Sequence, residues 1–330
     1  MRKGLLALGL LLSGCASFDS QNVSTYEVIG SPISRCMNLG SALEASYEGQ
    51  WGYTVRRADL VRLKDVGFDT IRLPVRWTAH ADSEAPYTID PAMLARVDEI
   101  VSWAGDIGLN IIVNVHHFSQ LNSDPDQNEP RLEGLWGQLS DHFAGASDHL
   151  IFETVNEPHH NMTVERTDAI NARLLDRIRQ QHPDRWVILG TADWGQLGGL
   201  TASNPVLADR VMLTYHDYIP FDFTHQGAHW TDREETGLNW GSRSDRAEMR
   251  ERLDTALSVQ TETGMPVFVG EFGVFRGVPV KQRARWTSAL RKGIEARGMS
   301  WCYWDFAGEL RVYDVEAEAW IPELKAALLD

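Results

Sequence analysis

Two glutamates occupy comparable places in the sequence, each at the end of an apolar run. Glu157 follows residues 151–155 within Asn156-Glu157-Pro158, and Glu271 follows Val269-Gly270. Short apolar runs are strand candidates, and the carboxyl ends of parallel strands meet at one face of a barrel. Two carboxyl groups that project into one pocket, one protonated and one ionised, are what glycoside hydrolysis requires.

The surrounding residue types assign these two roles only in part. Arg72 and Tyr218 offer a fixed cation and a phenol that can donate to Glu271 and keep it ionised. Glu157 would then lie near a negative charge, and its pKa would rise enough to hold a proton near neutral pH. Asn156 offers an amide donor for a sugar hydroxyl in the transition state. Spacing alone does not decide which glutamate is the acid.

These side chains need a scaffold that brings strand ends together. Apolar runs alternate with longer amphipathic stretches, which is typical of successive βα units around a parallel sheet. The sequence predicts eight strands, at residues 36–39, 70–73, 110–115, 151–155, 186–189, 211–214, 266–269 and 300–304. The prediction is an α/β fold, a single (β/α)8 barrel. A doubly wound open sheet is the alternative, but no Gly-rich phosphate loop follows an early strand.

Composition fits one such domain and limits its partners. The chain has 330 residues and a formal net charge of −15, which disfavours binding to nucleic acid or anionic lipid headgroups. Twelve tryptophans supply flat indoles suited to the apolar face of a sugar, although we expect most to serve packing. Among them Trp51, Trp103, Trp136, Trp286 and Trp320 are assigned to packing.

The N-terminal segment reads as a targeting signal. Arg2 and Lys3 precede a short apolar run and the sequence Leu12-Ser13-Gly14-Cys15, which resembles a bacterial lipobox. We expect residues 1–14 to be a signal peptide, residues 15–31 a tether lipidated at Cys15, and residues 32–330 the barrel. Ala16, which follows the lipidated cysteine, favours anchoring in the outer membrane. We expect the exported protein to contact the membrane through its lipid only. The alternative is a plain signal peptide with a chance cysteine.

Several motifs together resemble glycoside hydrolase family 5, and they follow in that family's order from about residue 36 to the C-terminus. They are Thr70-Ile71-Arg72-Leu73-Pro74, Asn114-Val115-His116-His117, Asn156-Glu157-Pro158, His216-Asp217-Tyr218, Gly270-Glu271-Phe272-Gly273 and Tyr303-Trp304-Asp305-Phe306. The resemblance implies a retaining endo-β-1,4-glucanase with a (β/α)8 barrel and no cofactor or metal.

The same resemblance implies a role for each site residue. Glu157 would be the acid/base and Glu271 the nucleophile, with Trp304 as the platform under the ring next to the scissile bond. Residues in supporting positions would be Arg72, Asn156, His216 and Tyr218, and residues in contact with the sugar would include Asn38 and His116. The expected partner is a β-linked polysaccharide or oligosaccharide, and the expected state is a monomer.

Two longer segments resemble a branch known from thermophilic bacterial endoglucanases, some of which also take mannan. They are residues 39–45 and 220–230, and they would place Glu44, His117, His225 and Trp230 along the substrate cleft. The chain departs from that branch at Ser41, where asparagine is usual, and at Asp305, where glutamate is usual. These departures leave glucan, mannan and mixed-linkage glucan open as substrates.

Other interpretations of the same residues remain open. The charged strand ends could form a structural ion-pair network, and histidines at strand ends could ligate zinc, although a compact three-ligand set is not evident. A non-catalytic glycan-binding lipoprotein would use the scaffold without cleavage, but would not need both glutamates.

Cys36 and Cys302 fall on the first and last predicted strands, which are neighbours once the barrel closes. Both should share the inward face at similar depth, within reach of a disulfide. Side chains that run side by side on parallel strands make the torsion unfavourable, so we expect two reduced core cysteines.

Overall fold

The computed structural model describes residues 30–330, and its centre is a closed barrel of eight parallel strands in sequential order, as predicted. The strands are β1 (Arg35–Asn38), β2 (Thr70–Leu73), β3 (Asn110–Asn114), β4 (Leu150–Glu153), β5 (Val187–Leu189), β6 (Val211–His216), β7 (Val267–Glu271) and β8 (Ser300–Tyr303). A two-stranded antiparallel sheet, β9 (Tyr313–Asp314) and β10 (Ala319–Trp320), lies outside the barrel.

The helices surround the barrel. They are α1 (Arg57–Asp65), α2 (Pro91–Ile107), α3 (Ser119–Ser123), α4 (Pro125–His142), α5 (Val164–Gln181), α6 (Leu197–Ala202), α7 (Phe221–Thr224), α8 (Arg243–Thr263), α9 (Val280–Glu295) and α10 (Pro322–Leu329), with a single 3-10 turn at Trp77–Ala79. Helix α2 begins after Asp90, whose side chain accepts from the backbone N–H of Ala92 at 2.8 Å, and ends at Gly108 with a φ of 77°. Asp90 and Gly108 therefore set the two ends of this helix.

The core has two layers because each strand has one face inside the barrel and one face under the helices. A small inner cluster fills the barrel, and it consists of Ile33, Cys36, Ile112, Ile151, Ile188, Met212, Phe268 and Cys302. A larger cluster packs the outer strand faces against the helices. This double burial explains why the strands are continuous apolar runs.

The expectation of two reduced cysteines was wrong. Cys36 and Cys302 are register partners on β1 and β8, with their Cα atoms 4.2 Å apart, and their sulfurs are bonded. Their predicted position on the inner face is confirmed, and the close approach of the two backbones at this seam brings the thiols together. The disulfide covalently joins the first and last strands of the barrel.

The predicted packing role holds for most of the five tryptophans but fails for Trp51. Trp136 and Trp286 are fully buried, and Trp103 and Trp320 are partly buried against the core. Trp51 is 49% exposed, because it lies in the loop between β1 and α1 and not on a helix that faces the sheet.

The predicted signal peptide and the lipidation site Cys15 lie outside the described residues. Within residues 30–330, no helix combines the length and apolar character needed to cross a bilayer.

Candidate active site

The two glutamates meet at the carboxyl end of the barrel. Glu271 is the last residue of β7, and Glu157 lies in the loop that follows β4. His216, the last residue of β6, lies between them, with its Nδ1 atom 2.7 Å from Oε1 of Glu157 and 3.6 Å from Oε2 of Glu271. Carboxylate oxygens of Glu157 and Glu271 and a ring nitrogen of His216 all lie within 4.8 Å of one another.

Arg72 is fully buried and hydrogen-bonds four side chains of the site, those of Asn38, Glu153, Asn156 and Glu271. Its Nη1 atom donates to Oε1 of Glu271 and to Oδ1 of Asn38, each at 2.8 Å. Its Nη2 atom donates to Oδ1 of Asn156 at 2.6 Å. Burial disfavours the charge of Arg72, but Glu153 and then Glu271 outweigh burial, so its pKa is raised and it remains a cation. One guanidinium thereby fixes the nucleophile candidate and both neighbouring amides.

Glu153 was missed by the sequence analysis. It ends β4 and accepts from both Nε and Nη2 of Arg72, at 2.6 and 2.7 Å, and it is fully buried. This bidentate pair fixes the plane of the guanidinium, so that the Nη1 edge points toward Glu271. A carboxylate inside an otherwise apolar strand was the available signal, because such a charge requires a buried partner.

Tyr218 completes the surroundings of Glu271. Its hydroxyl donates to Oε2 of Glu271 at 2.9 Å, on the oxygen that Arg72 leaves free. Burial, together with the negative charges of Glu271 and Glu157, raises the pKa of Tyr218, so the phenol keeps its proton. The two expected donors to Glu271 are therefore in place.

The order of pKa values differs from the expectation. Burial would raise the pKa of Glu157, but the hydrogen bond and charge of His216 outweigh it, and the pKa is lowered. For Glu271 burial is the largest effect; it outweighs His216 and Arg72, and the pKa is raised. Burial opposes a charged His216, but Glu271 and Glu157 raise its pKa. Both carboxylates therefore favour the protonated form of His216, which lies within hydrogen-bond distance of Glu157.

One wall of the cleft consists of stacked rings. His116 is parallel to Trp304 at a centroid distance of 5.8 Å, and its Nδ1 atom lies 3.2 Å from Nδ2 of Asn114. His117 contacts His116 edge-on and is exposed. Burial lowers the pKa of both histidines, so they are neutral hydrogen-bonding groups at this wall.

A second cluster of rings is formed around Tyr218. His225 contacts Tyr218 at 5.1 Å, stacks on Phe221 at 4.0 Å, and meets the ring of Trp230 at 6.1 Å. Trp230 is 45% exposed and offers an apolar face to the cleft. The structure thus brings the predicted residues of this segment together.

Two of the predicted substrate contacts are buried by the protein itself. Asn38 is fully buried, and its amide donates to the carbonyls of Gly270 and Tyr303 while its oxygen accepts from Arg72. Glu44 is 1% exposed and accepts from the backbone N–H groups of Ser41 and Ala42. Both residues therefore hold the framework of the site in this structure.

The two departures from the family pattern, Ser41 and Asp305, are neighbours. A Cβ added to Gly308 would lie 2.2 Å from both Ser41 Oγ and Asp305 Oδ2. Asp305 is fully buried and accepts from the backbone N–H of Gly308 at 3.0 Å. A shorter acid and a smaller polar residue therefore meet at one position, directly behind Trp304.

A second residue missed by the sequence analysis, Trp194, lies beside the loop of Glu157. Its indole is 45% exposed and stacks on His159, and the ring of His159 approaches the carbonyl of Glu157 at 2.6 Å. Trp194 follows β5, a strand whose end contributed no residue to the predicted site. Reading that strand end would have found it.

Among the described residues, the group of acidic and histidine side chains close enough to hold a metal ion is Glu157, His216 and Glu271. Each already has protein partners: His216 bonds Glu157, and Arg72 and Tyr218 bond Glu271. A buried cation and a phenol therefore occupy the positions around Glu271 that a metal ion would compete for.

Comparison with known proteins places this geometry in a family. The sequence model described as Cellulase (glycosyl hydrolase family 5) matches residues 37–309. Endoglucanase H of Acetivibrio thermocellus is 32% identical over 301 residues, which cover 89% of this chain and 32% of that protein. The chain thus spans about a third of the length of the first curated relatives that it matches.

Solved structures give the same answer over nearly the whole chain. Endoglucanase Cel5A of the hyperthermophile Thermotoga maritima is 36% identical with a TM-score of 0.87, and the match covers 89% of this chain and 96% of that one. A structure of Cel5A from the same organism in complex with a mannotriose substrate is 34% identical, with a TM-score of 0.87 and coverages of 92% and 98%. The chain therefore belongs to the cellulase family of glycoside hydrolases, glycosyl hydrolase family 5.

Proposed function

We propose that this protein is a retaining endo-β-1,4-glucanase in which Glu271 is the nucleophile and Glu157 the acid and base. The spacing of the two carboxylates carries the proposal, since their oxygens lie within 4.8 Å. Inverting glycosidases need room for a water between carboxyl groups about 6.5 to 9.5 Å apart, whereas retaining enzymes hold them at about 5 to 5.5 Å.

In the first step Oε2 or Oε1 of Glu271 attacks the anomeric carbon, and the bond to the leaving oxygen breaks as a proton reaches that oxygen from Glu157. Arg72 and Tyr218 orient the attacking carboxylate through one hydrogen bond to each oxygen. The proton comes from the Glu157–His216 pair, whose 2.7 Å contact lets it move between the imidazole and the carboxylate. The product of this step is a covalent glycosyl-enzyme.

In the second step Glu157 acts as a base. It removes a proton from a water molecule that attacks the anomeric carbon, and Glu271 leaves as a carboxylate. Two inversions at one carbon give net retention. Asn156, fixed by Arg72, lies next to the acid and offers its amide N–H to the sugar hydroxyl adjacent to the reacting carbon.

The substrate proposal rests on the cleft and on the relatives. Trp304 is partly exposed and Trp230 is 45% exposed, and such aromatic surface suits the apolar faces of glucose units in a β-1,4 chain. Endoglucanase names among the relatives favour glucan, and the mannotriose complex of Cel5A keeps mannan as the second candidate. Product analysis on β-1,4-glucan, mixed-linkage glucan, glucomannan and galactomannan distinguishes them. Faster release of reducing ends from galactomannan than from β-1,4-glucan would contradict the glucanase assignment.

We also propose export and lipid anchoring at Cys15, on the basis of the lipobox-like sequence. The disulfide between Cys36 and Cys302 supports export, because disulfides persist in oxidising compartments.

The roles of the glutamates are tested by chemical rescue with azide. With dinitrophenyl cellobioside the leaving phenolate needs no proton, so Glu157→Ala should form the covalent intermediate and stall, giving a burst. On polymer the same variant should lose activity by about 10² to 10⁴-fold. Added azide needs no base, so it should restore turnover and yield a β-glycosyl azide.

Glu271→Ala is the matched variant, because it removes the other carboxylate of the pair. It should show no burst, and azide should attack directly from the opposite face to give an α-glycosyl azide. Wild-type enzyme with azide is the control. If Glu157→Ala gave the α-azide and Glu271→Ala the β-azide, the roles would be reversed.

A further inference from the structure

Trp51 is a large, exposed aromatic residue, and core packing does not explain its position. It lies in the loop between β1 and α1 with 49% of its surface exposed, and the aromatic ring that contacts it is that of His117, edge-on at 6.2 Å. Single exposed apolar residues are common on protein surfaces. Trp51 differs from such residues because it lies beside His117, a residue of the predicted substrate cleft.

The loop that carries Trp51 is fixed by hydrogen bonds on both sides. Before it, Gln50 donates from its backbone to Tyr47 at 3.2 Å, and its side-chain oxygen accepts from Ser46 at 2.8 Å. Immediately after it, the N–H of Gly52 donates to the carbonyl of Gly49 at 3.0 Å. An indole on such a loop loses little further conformational freedom when a ligand covers it.

A partly buried ion pair anchors the same loop to helix α2. Glu48 accepts from Nε and Nη2 of Arg96 at 2.8 and 2.9 Å, and it also accepts from the backbone N–H of Val55. Arg96 in turn donates to the carbonyl of Val55. The loop is therefore held at both of its ends and not only within its turn.

A continuous row of rings connects Trp51 to the catalytic pair. The backbone of Trp304 bonds to Phe272, the residue after Glu271. From Trp304 the ring contacts run to His116 at 5.8 Å, to His117 at 4.5 Å and to Trp51 at 6.2 Å. The row begins in the buried site and ends in solvent, so it follows one wall of the cleft outward.

We propose that Trp51 is a distal binding platform, on which a glucose unit of the same β-1,4 chain stacks beyond the units held at the catalytic pair. The proposal rests on the proposed glucanase function. The apolar C–H face of a pyranose matches an indole that has one free face and a fixed orientation. Because His116 and His117 lie between Trp304 and Trp51 in the row of rings, we expect a long substrate to use the platform more than a short one.

The test compares substrates of different length on Trp51→Ala. The loss of kcat/KM should grow with chain length and reach about threefold to tenfold on cellohexaose relative to dinitrophenyl cellobioside. Trp51→Phe should recover much of the loss, since it keeps an aromatic face. The control is Leu207→Ala, which removes an exposed apolar side chain (54% exposed) from the segment before β6, at the opposite end of the barrel. It should show no dependence on chain length.

A binding measurement separates this proposal from the proposed function. In a Glu271→Gln background, titration calorimetry with cellohexaose should show weaker binding when Trp51 is also replaced by alanine, by the same threefold to tenfold. If the wild-type enzyme cleaves glucan but Trp51→Ala matches it at every chain length, the platform is refuted and the function stands. If the wild type does not cleave glucan but cellohexaose binding depends on Trp51, the function fails and the platform stands. Binding independent of Trp51 also refutes the platform.

Discussion

Glu153→Gln tests how the protein sets the basicity of the proposed nucleophile. In the structure Arg72 is shared between two carboxylates, with Glu153 on its Nε and Nη2 atoms and Glu271 on Nη1. The three groups together carry one negative charge. The substitution keeps the size of the side chain and one acceptor oxygen, but it removes a charge and leaves Arg72 paired with Glu271 alone.

The magnitude follows from Coulomb's law. The two carboxylates bind different edges of one guanidinium, and at an effective dielectric constant of about 20 two like charges held in this way repel by on the order of 2 kcal/mol. Removing this repulsion should lower the pKa of Glu271, against the direction in which burial shifts it. A less basic carboxylate is a weaker nucleophile, so the plateau rate should also fall.

The assay is the pH dependence of kcat/KM with dinitrophenyl cellobioside. This substrate needs no proton from Glu157 for glycosylation, so the acid limb reports the ionisation of Glu271. We expect the limb to move to lower pH. An acid limb that stays in place, or moves to higher pH, in a variant that still melts cooperatively would refute the argument.

Glu129→Gln is the matched control, because it removes one glutamate charge from an Arg–Glu pair that lies outside the site. Glu129 on α4 accepts from Arg173 at 2.6 Å and from Arg166, outside the site. This variant should keep the acid limb of the wild type. A shift of equal size in Glu129→Gln would show that the effect is not specific to Arg72.

Three further outcomes are expected. Replacing Cys36 and Cys302 together by serine should lower the free energy of unfolding by about 2 to 5 kcal/mol in urea titrations, and equal stability would show that the bond contributes nothing. Burial raises the pKa of Asp305 to about 7 and that of Glu44 to about 8, because the folded protein favours their protonated forms. Their contribution to the free energy of unfolding is therefore fully present below about pH 4 and is lost as pH rises through those pKa values. Asp305→Asn should therefore reduce the fall in melting temperature between about pH 5 and pH 9, and an unchanged pH slope would count against this assignment. Cys15→Ser should move the protein from the membrane pellet to the soluble fraction with activity intact, whereas retention in the pellet would contradict lipid anchoring.

The scaffold was predictable because its physics is local and repetitive. Parallel strands covered on both faces must be apolar throughout, and each such run in the sequence marked a strand to within a few residues. Polar residues at the ends of these runs had to converge, so Arg72, Glu157, His216 and Glu271 could be assigned to one site. The contact between His216 and Glu157 could not be assigned, since it depends on how a loop returns over the barrel.

The remaining differences arise from distances that a sequence does not encode. The bond between Cys36 and Cys302 depends on how closely two backbones approach at the seam. The pKa order of Glu157 and Glu271 depends on which of them His216 approaches. Trp51 was assigned to packing as a helix position that faces the sheet, whereas its exposure follows from its position in a loop.

The link between Cys36 and Cys302 makes most of this molecule a covalent ring. The bridge spans 266 residues, so the loops that follow β1 to β7 and both glutamates of the proposed catalytic pair lie inside the circle, whereas Trp304 and the segment with helix α10 lie outside it. A protease that cuts a single loop inside the circle opens the ring without releasing a fragment. Nicked protein should therefore migrate as one species on a denaturing gel until a reductant is added. A circular permutant with new termini in such a loop would still have its first and last strands joined by the disulfide.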